Sequence, residues 1–139
     1  MGTNIHASCV DFLGQGILIT GISGSGKSDL CLRLIMEQGA KLVADDRVNL
    51  TLFQDNIIAT APTILQGLLE VRGVGIINIQ YCPQTSIKLA INLINDFDKI
   101  ERMPEEKYFE FRGKKIRCFD LYGKDSSIVS KVLAALTLV

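Results

Sequence analysis

The chain has 139 residues, and its 15 Lys plus Arg match its 15 Asp plus Glu. That balance removes the positive field expected of a nucleic-acid or anionic-membrane binder. Although 47% of the residues are apolar, no run approaches the ~20 apolar residues of a membrane-spanning helix, and the polar start MGTNIHAS lacks a secretory pattern. A single cytoplasmic domain over residues 1–139 is expected, long enough to bury about 68–70% of its unfolded-chain surface. Cys9, Cys31, Cys82 and Cys118 are far apart and form no CxxC pair, so they read as small buried apolar residues rather than a zinc site or a disulfide framework.

In chain order, GILIT (16–20) is a short apolar run ending in glycine, the pattern of a buried strand. Leu30, Cys31, Leu34 and Ile35 then recur at helical spacing up to Gly39, a helix stop, and KLVA (41–44) is a second strand. Strand, helix, strand in this order predicts a βαβ unit with parallel strands and a right-handed crossover. Val48, Leu50 and Leu52 alternate with polar residues, QDN (54–56) supplies a turn and IIATA follows, which predicts a hairpin. Alternation at Ile87, Leu89, Ile91 and Leu93, and the runs VGIINI (74–79), KYFEF (107–111) and KKIRCFDL (114–121), add further strands. Ile128, Val129, Val132, Leu133 and Leu136 give the final segment helical spacing. The fold class is therefore α/β: a mixed, β-rich sheet with flanking helices.

Residues 21–28, GISGSGKS, satisfy G-x-x-x-x-G-K-[ST] after a predicted strand and at the opening of a predicted helix. In that setting Gly21, Ile22, Ser23, Gly24, Ser25 and Gly26 offer backbone N–H groups to phosphate oxygens, aided by the helix N-terminus. Lys27 neutralises the β and γ phosphates, and Ser28 places its hydroxyl on a Mg2+ ion that bridges them. The motif is specific for phosphate binding and silent about the reaction.

Asp45 and Asp46 follow KLVA at a strand's carboxyl end, where α/β sheets open their ligand crevice. Neighbours in an extended chain point to opposite sides, so the two carboxylates divide their work unless the backbone turns between them. One accepts a proton from an attacking hydroxyl; the other helps to organise the metal's water shell or the loop. A polar strand end or a helix cap is the plain alternative.

Taken together, His6, Val10 and Asp11 in H-x-x-x-V-D, the glycine loop, VADDRV (43–48), and AP (61–62) followed by LLEVRGVGIIN (68–78) resemble the bacterial HPr kinase/phosphorylases. These motifs cover about residues 4–80 densely, and a weaker resemblance continues to the end, so the chain is similar to the family's C-terminal kinase domain alone. The resemblance implies a fold related to that of phosphoenolpyruvate carboxykinases. It also implies transfer of the ATP γ-phosphoryl group to a serine of the phosphocarrier protein HPr, in control of the sugar phosphotransferase system. In reverse, inorganic phosphate would remove that group. Asp45 resembles the family's acid/base, Glu70 joins Ser28 as a magnesium ligand, and Arg72 stabilises phosphate charge. Gly73 and Gly75 permit a tight turn. His6, the lone histidine, matches an active-site position, and Arg102 in DKIERM resembles the active-site arginine beyond the signature.

The chain departs from the pattern in two places. IQYCPQTS (79–86) is short where longer members carry a glycine-containing loop, and KKIRCFDLYGKDSS (114–127) replaces a segment linked to dephosphorylation. Longer members assemble as hexamers, which makes a homo-oligomer the implied assembly. A small-molecule P-loop kinase, with Arg112, Lys114, Lys115 and Arg117 holding its acceptor, and a nucleotide-dependent regulator are the rival readings. For that basic cluster a solvated strand face is the plainer one.

Overall fold

From the N-terminus, the residues described by the computed structural model, 2–139, begin with strands β1 (Thr3–His6), β2 (Ser8–Phe12) and β3 (Gln15–Gly21), followed by helix α1 (Lys27–Gln38). Strands β4 (Lys41–Ala44), β5 (Arg47–Phe53), β6 (Asn56–Thr60), β7 (Leu68–Val71), β8 (Gly75–Asn78) and β9 (Thr85–Ile94) come next. Strands β10 (Lys107–Phe111) and β11 (Lys114–Tyr122) precede helix α2 (Ile128–Leu136). The main sheet runs β1-β5-β6-β9-β3-β2-β4, with β11 also pairing β9 and β10 pairing β11; β7 and β8 form a separate hairpin.

Strands β3, β9 and β11 run parallel at the centre. Ile17, Leu18 and Ile19 of β3 are fully buried, and they alternate between two cores. A strand covered on both faces has no polar side, which is why GILIT shows an unbroken apolar run. Each such side chain contributes about 1.5–3 kcal/mol of burial free energy. On one face the helices supply Leu30, Cys31, Leu34, Ile128 and Val132, with Leu69 of the detached hairpin. On the other, Val48, Leu50, Ile57 and Ala59 of the β5–β6 hairpin close over Leu18, Ala90 and Cys118. The result is three layers: helices, central sheet and outer hairpin.

The predicted elements are present, with two refinements. Strands β3 and β4 run parallel, but they are not neighbours, because β2 lies between them and is antiparallel to both. Ile87 joins the outer core whereas Leu89, Ile91 and Leu93 join the helix-side core. A register shift at Gly16/Ile17 opposite this stretch exchanges the faces. Helix α1 ends as expected: Gly39 is left-handed (φ 73), and the N–H groups of Gly39 and Ala40 bond Ile35 O and Leu34 O. In the β5–β6 hairpin Gln54 and Asp55 are both left-handed, the geometry of a two-residue turn that suits strand twist.

Strands β1, β2 and β7 go beyond the periodicity reading. β1 is a mostly exposed polar edge, and β2 begins with three consecutive buried residues, so neither alternates. The cysteines also differ from expectation at one position. Cys9, Cys31 and Cys118 are buried, and burial raises their thiols well above the ordinary range; Cys82 is only half-buried. In native protein at pH 8, a thiol reagent should therefore modify Cys82 rapidly and the other three only on unfolding. Fast modification persisting in Cys82→Ser would contradict this packing.

Candidate functional site

Strand β3 delivers the chain to Gly21 at its carboxyl end, where the glycine loop turns into α1. Gly24 and Gly26 adopt left-handed φ values of 81° and 104°, conformations that side chains rarely take. At Gly21 a Cβ would stand 2.6 Å from Ser25 Oγ and 2.7 Å from Leu93 O, so this position is closed to larger residues. No side chain caps α1, which leaves its first-turn amides for a ligand. Lys27 folds back over the loop and donates to Gly21 O at 2.8 Å and Ile22 O at 3.1 Å. Ser25 Oγ is buried without a hydrogen-bond partner. An ammonium resting on backbone carbonyls and an orphaned hydroxyl fit a phosphate chain, which would engage both kinds of donor.

The backbone turns between the paired aspartates, since Asp46 has φ 69. The turn does not bring their carboxylates together, and they serve different partners. Asp45, 8% exposed, accepts at Oδ1 from Ser28 Oγ at 2.7 Å and from Ser8 Oγ at 3.0 Å. Its Oδ2 accepts from the Glu70 N–H at 3.4 Å. Asp46 is exposed, and its Oδ1 stands 2.8 Å from His6 Nε2. The Asp46 N–H in turn donates to Ser8 Oγ at 3.3 Å. One fully buried hydroxyl, Ser8, thus joins the two halves of the pair.

Asp45 and Ser28 are brought together with Lys27 on the adjoining loop, and His6 is brought to Asp46. Glu70 reaches Asp45 through its backbone amide, while its carboxylate is exposed at the free edge of β7. Gly73 and Gly75, at φ 87 and 120, build the tight turn joining β7 to β8. Arg72 is exposed at the tip of that turn, and Arg102 is exposed in the segment before β10. Neither makes a hydrogen bond or ion pair among the described residues.

Two site residues escaped the sequence reading. Ser8 lies two positions from His6, the spacing that puts side chains on one side of an extended chain, and that was its only signal. Gly123, between β11 and α2, lies so close beneath the loop that a Cβ there would be 2.0 Å from Ser25 O. Beside the loop, Thr20 Oγ1 donates to Asn92 Oδ1 at 3.1 Å, and Asn92 Nδ2 donates to Asp120 Oδ1 at 3.0 Å. Lys107 then donates to both Asp120 oxygens. Burial pushes the Asp120 carboxyl up, but the hydrogen bonds from Lys107 and Asn92 outweigh it and hold it below its usual value. A cavity of about 370 Å³ adjoins this row, lined by Gly21, Ile22 and residues 92–95.

The fold and site define a class: an α/β domain whose glycine loop joins a central strand to an uncapped helix, as phosphate-binding loops do. The family model for the HPr serine kinase C-terminal domain matches residues 1–136, and the chain belongs to that family. It is 39% identical over 111 residues to an HPr kinase/phosphorylase of Clostridium tetani, covering 80% of this chain and 36% of that protein. An HPr kinase/phosphorylase of Bordetella pertussis is 44% identical over 112 residues, covering 73% of this chain and 36% of its own length. The chain thus spans about a third of the length of these relatives. The solved Hpr(Ser) kinase/phosphatase of Coxiella burnetii superimposes with a TM-score of 0.83 at 23% identity, covering 98% of this chain and 88% of that one. At that identity the match establishes the fold.

Ser8→Ala removes a donor from a nearly sealed carboxylate and should lower unfolding free energy by about 1.5–3 kcal/mol, read from denaturant midpoints. An unchanged midpoint would mean that the hydroxyl does not hold Asp45. Gly123→Ala should displace the loop and lower unfolding free energy by about 1–3 kcal/mol, read from denaturant midpoints; a midpoint equal to wild type would show that the loop tolerates the added carbon.

Proposed function

We propose that this chain is an ATP-dependent protein serine kinase domain that phosphorylates the phosphocarrier protein HPr. The observation that carries the reading is the Asp45 carboxylate held 2.7 Å from Ser28 Oγ at the mouth of the glycine loop. This joins a proton acceptor to a phosphate cradle. The names of the relatives, HPr kinase/phosphorylase, support the acceptor.

The loop amides and the α1 N-terminus bind the phosphate chain of ATP. Lys27 exchanges its bonds to Gly21 O and Ile22 O for phosphate oxygens, which fixes the terminal group in line for attack. The oxygen donors Ser28 Oγ and the Glu70 carboxylate on the adjoining strand edge would hold magnesium, a hard cation that prefers oxygen ligands, which leaves Asp45 as the proton acceptor. Magnesium, when bound, neutralises the charge that develops on the transferring group. Asp45 accepts the proton of the incoming serine hydroxyl. His6, oriented by Asp46, supports charge and proton positions at the open side of the pair. Arg72 and Arg102, exposed and unengaged, contribute guanidinium charge once the protein substrate covers the site. With inorganic phosphate as acceptor, a phosphate oxygen attacks the phosphoserine phosphorus, the P–O bond to serine breaks as Asp45 protonates the leaving serine oxygen, and pyrophosphate is released.

The test is transfer of labelled γ-phosphate from ATP and magnesium to HPr of the same organism, beside an HPr lacking the acceptor serine. Label should appear only with the serine present and should be lost in Asp45→Asn. Lys27→Ala should reduce the rate by about 10²–10³. No labelling despite measurable ATP binding would overturn the reading in favour of another acceptor or a nucleotide-dependent regulator.

A further inference from the structure

The central strand β9 is longer than the strands beside it, and the edge facing away from β3 changes partner along its length. It pairs β6 at Thr85 and Ser86, then β11 from Ala90 onward. Between those ladders β6 and β11 diverge, and the sheet forks at Ile87, Lys88 and Leu89. A cavity of about 340 Å³ occupies the fork, on different strand segments from the glycine loop. Its volume lies within the ~300–1,000 Å³ typical of small-molecule sites.

The lining is unusual for a chain of zero net charge: the four cationic side chains Lys88, Lys114, Lys115 and Arg117 converge on the cavity against one acidic side chain, Glu106, and the α-carboxylate of Val139. Like charges gathered in one cavity repel and favour an anionic occupant. Their internal neutralisation is slight. Lys114 pairs with Asp55 at 3.3 Å, and Asp55 is largely exposed. Arg117 Nη1 stands 3.8 Å from Glu106 Oε1, beyond hydrogen-bond length. Lys115 lies over the Tyr108 ring at 5.9 Å; Glu110, opposite it in the β10–β11 ladder, forms no ion pair with it. Lys88 has no hydrogen bond or ion pair among the described residues. Ile87, Ile116 and Leu138 give the cavity an apolar wall, which suits a ligand with a carbon body rather than a bare inorganic ion.

We propose that the fork between β6 and β11 is a binding site for a small organic polyanion carrying two or more carboxylate or phosphate charges. It is separate from the nucleotide site and independent of the reaction assigned there. Lys114, Lys115 and Arg117, three of the four residues of the basic cluster read from the sequence as a solvated strand face, form the cationic wall of this site, completed by Lys88 from a strand remote in sequence. Its charges act through charge-assisted hydrogen bonds from solvent-accessible side chains, so occupancy should weaken as salt rises.

The experiment is an amide-shift titration of the full chain at low ionic strength, with citrate in one arm and glycerol 2-phosphate in the other. Saturable shifts at Lys88, Tyr108, Lys115 and Arg117 are expected, and they should persist in Lys27→Ala. Response to citrate alone, to the phosphate ester alone, or to both supports the site and assigns the charge type. The double substitution Lys88→Gln, Lys115→Gln changes two exposed lysines and should lower affinity about tenfold or more without moving the thermal midpoint. Shifts confined to residues 21–28, no saturation with either ligand, or equal affinity in the double variant would overturn the proposal.

Discussion

A single carboxylate organises this domain. Asp45 is nearly closed off from water, and a carboxylate in that position is costly unless donors surround it. The donors come from three elements: the Ser28 hydroxyl at the start of α1, the Ser8 hydroxyl at the start of β2 and the Glu70 amide on β7. Asp45 itself follows β4. The need to satisfy one charge therefore sets the positions of the glycine loop, the N-terminal strands and the detached hairpin relative to one another. Removing any donor exposes the others to the same unbalanced charge, so the group acts as a unit.

That arrangement also explains why the paired aspartates are not interchangeable. A left-handed residue at Asp46 redirects the chain, leaving Asp45 inward on the loop and Asp46 outward on His6. Asparagine and aspartate tolerate such a conformation better than most residues, because their short polar side chains find local partners. Here the Asp46 side chain finds its partner in His6 on another strand, and Ser8 accepts the Asp46 backbone amide while donating to Asp45. The backbone geometry that separates the carboxylates and the hydroxyl that links them are one device.

Two cores divide the remaining work. The helix-side core anchors α1 and so the loop, while the outer core ties the β5–β6 hairpin to the central strands. Strand β9 serves both, and its change of partner opens the basic fork. Gly123 completes the support of the loop from beneath, where the backbone of one segment sits against that of another. In the relatives this domain is about a third of a longer chain, yet the features around Asp45 lie wholly within the residues matched by the family model.

What was legible in the sequence was local. GISGSGKS after an apolar run, helical spacing as far as Gly39 and alternation in β5, β6 and β9 each depend on neighbouring residues, because side-chain period and glycine conformations are properties of short segments. The position of Asp45 at a strand end was legible for the same reason. The rest depended on pairings between residues far apart in the chain. Ser8 meets Asp45 only because β2 inserts between β3 and β4, and Gly123 meets Ser25 only because β11 runs parallel to β9. Lys88 joins Lys115 only because the sheet forks. Periodicity contains no information about which strands become neighbours. The glycine loop and the aspartate at the strand end were thus legible in the sequence alone, whereas burial of the carboxylate, its donors and the gathering of basic side chains at the fork were decided by tertiary structure, through strand order and the closure of two cores.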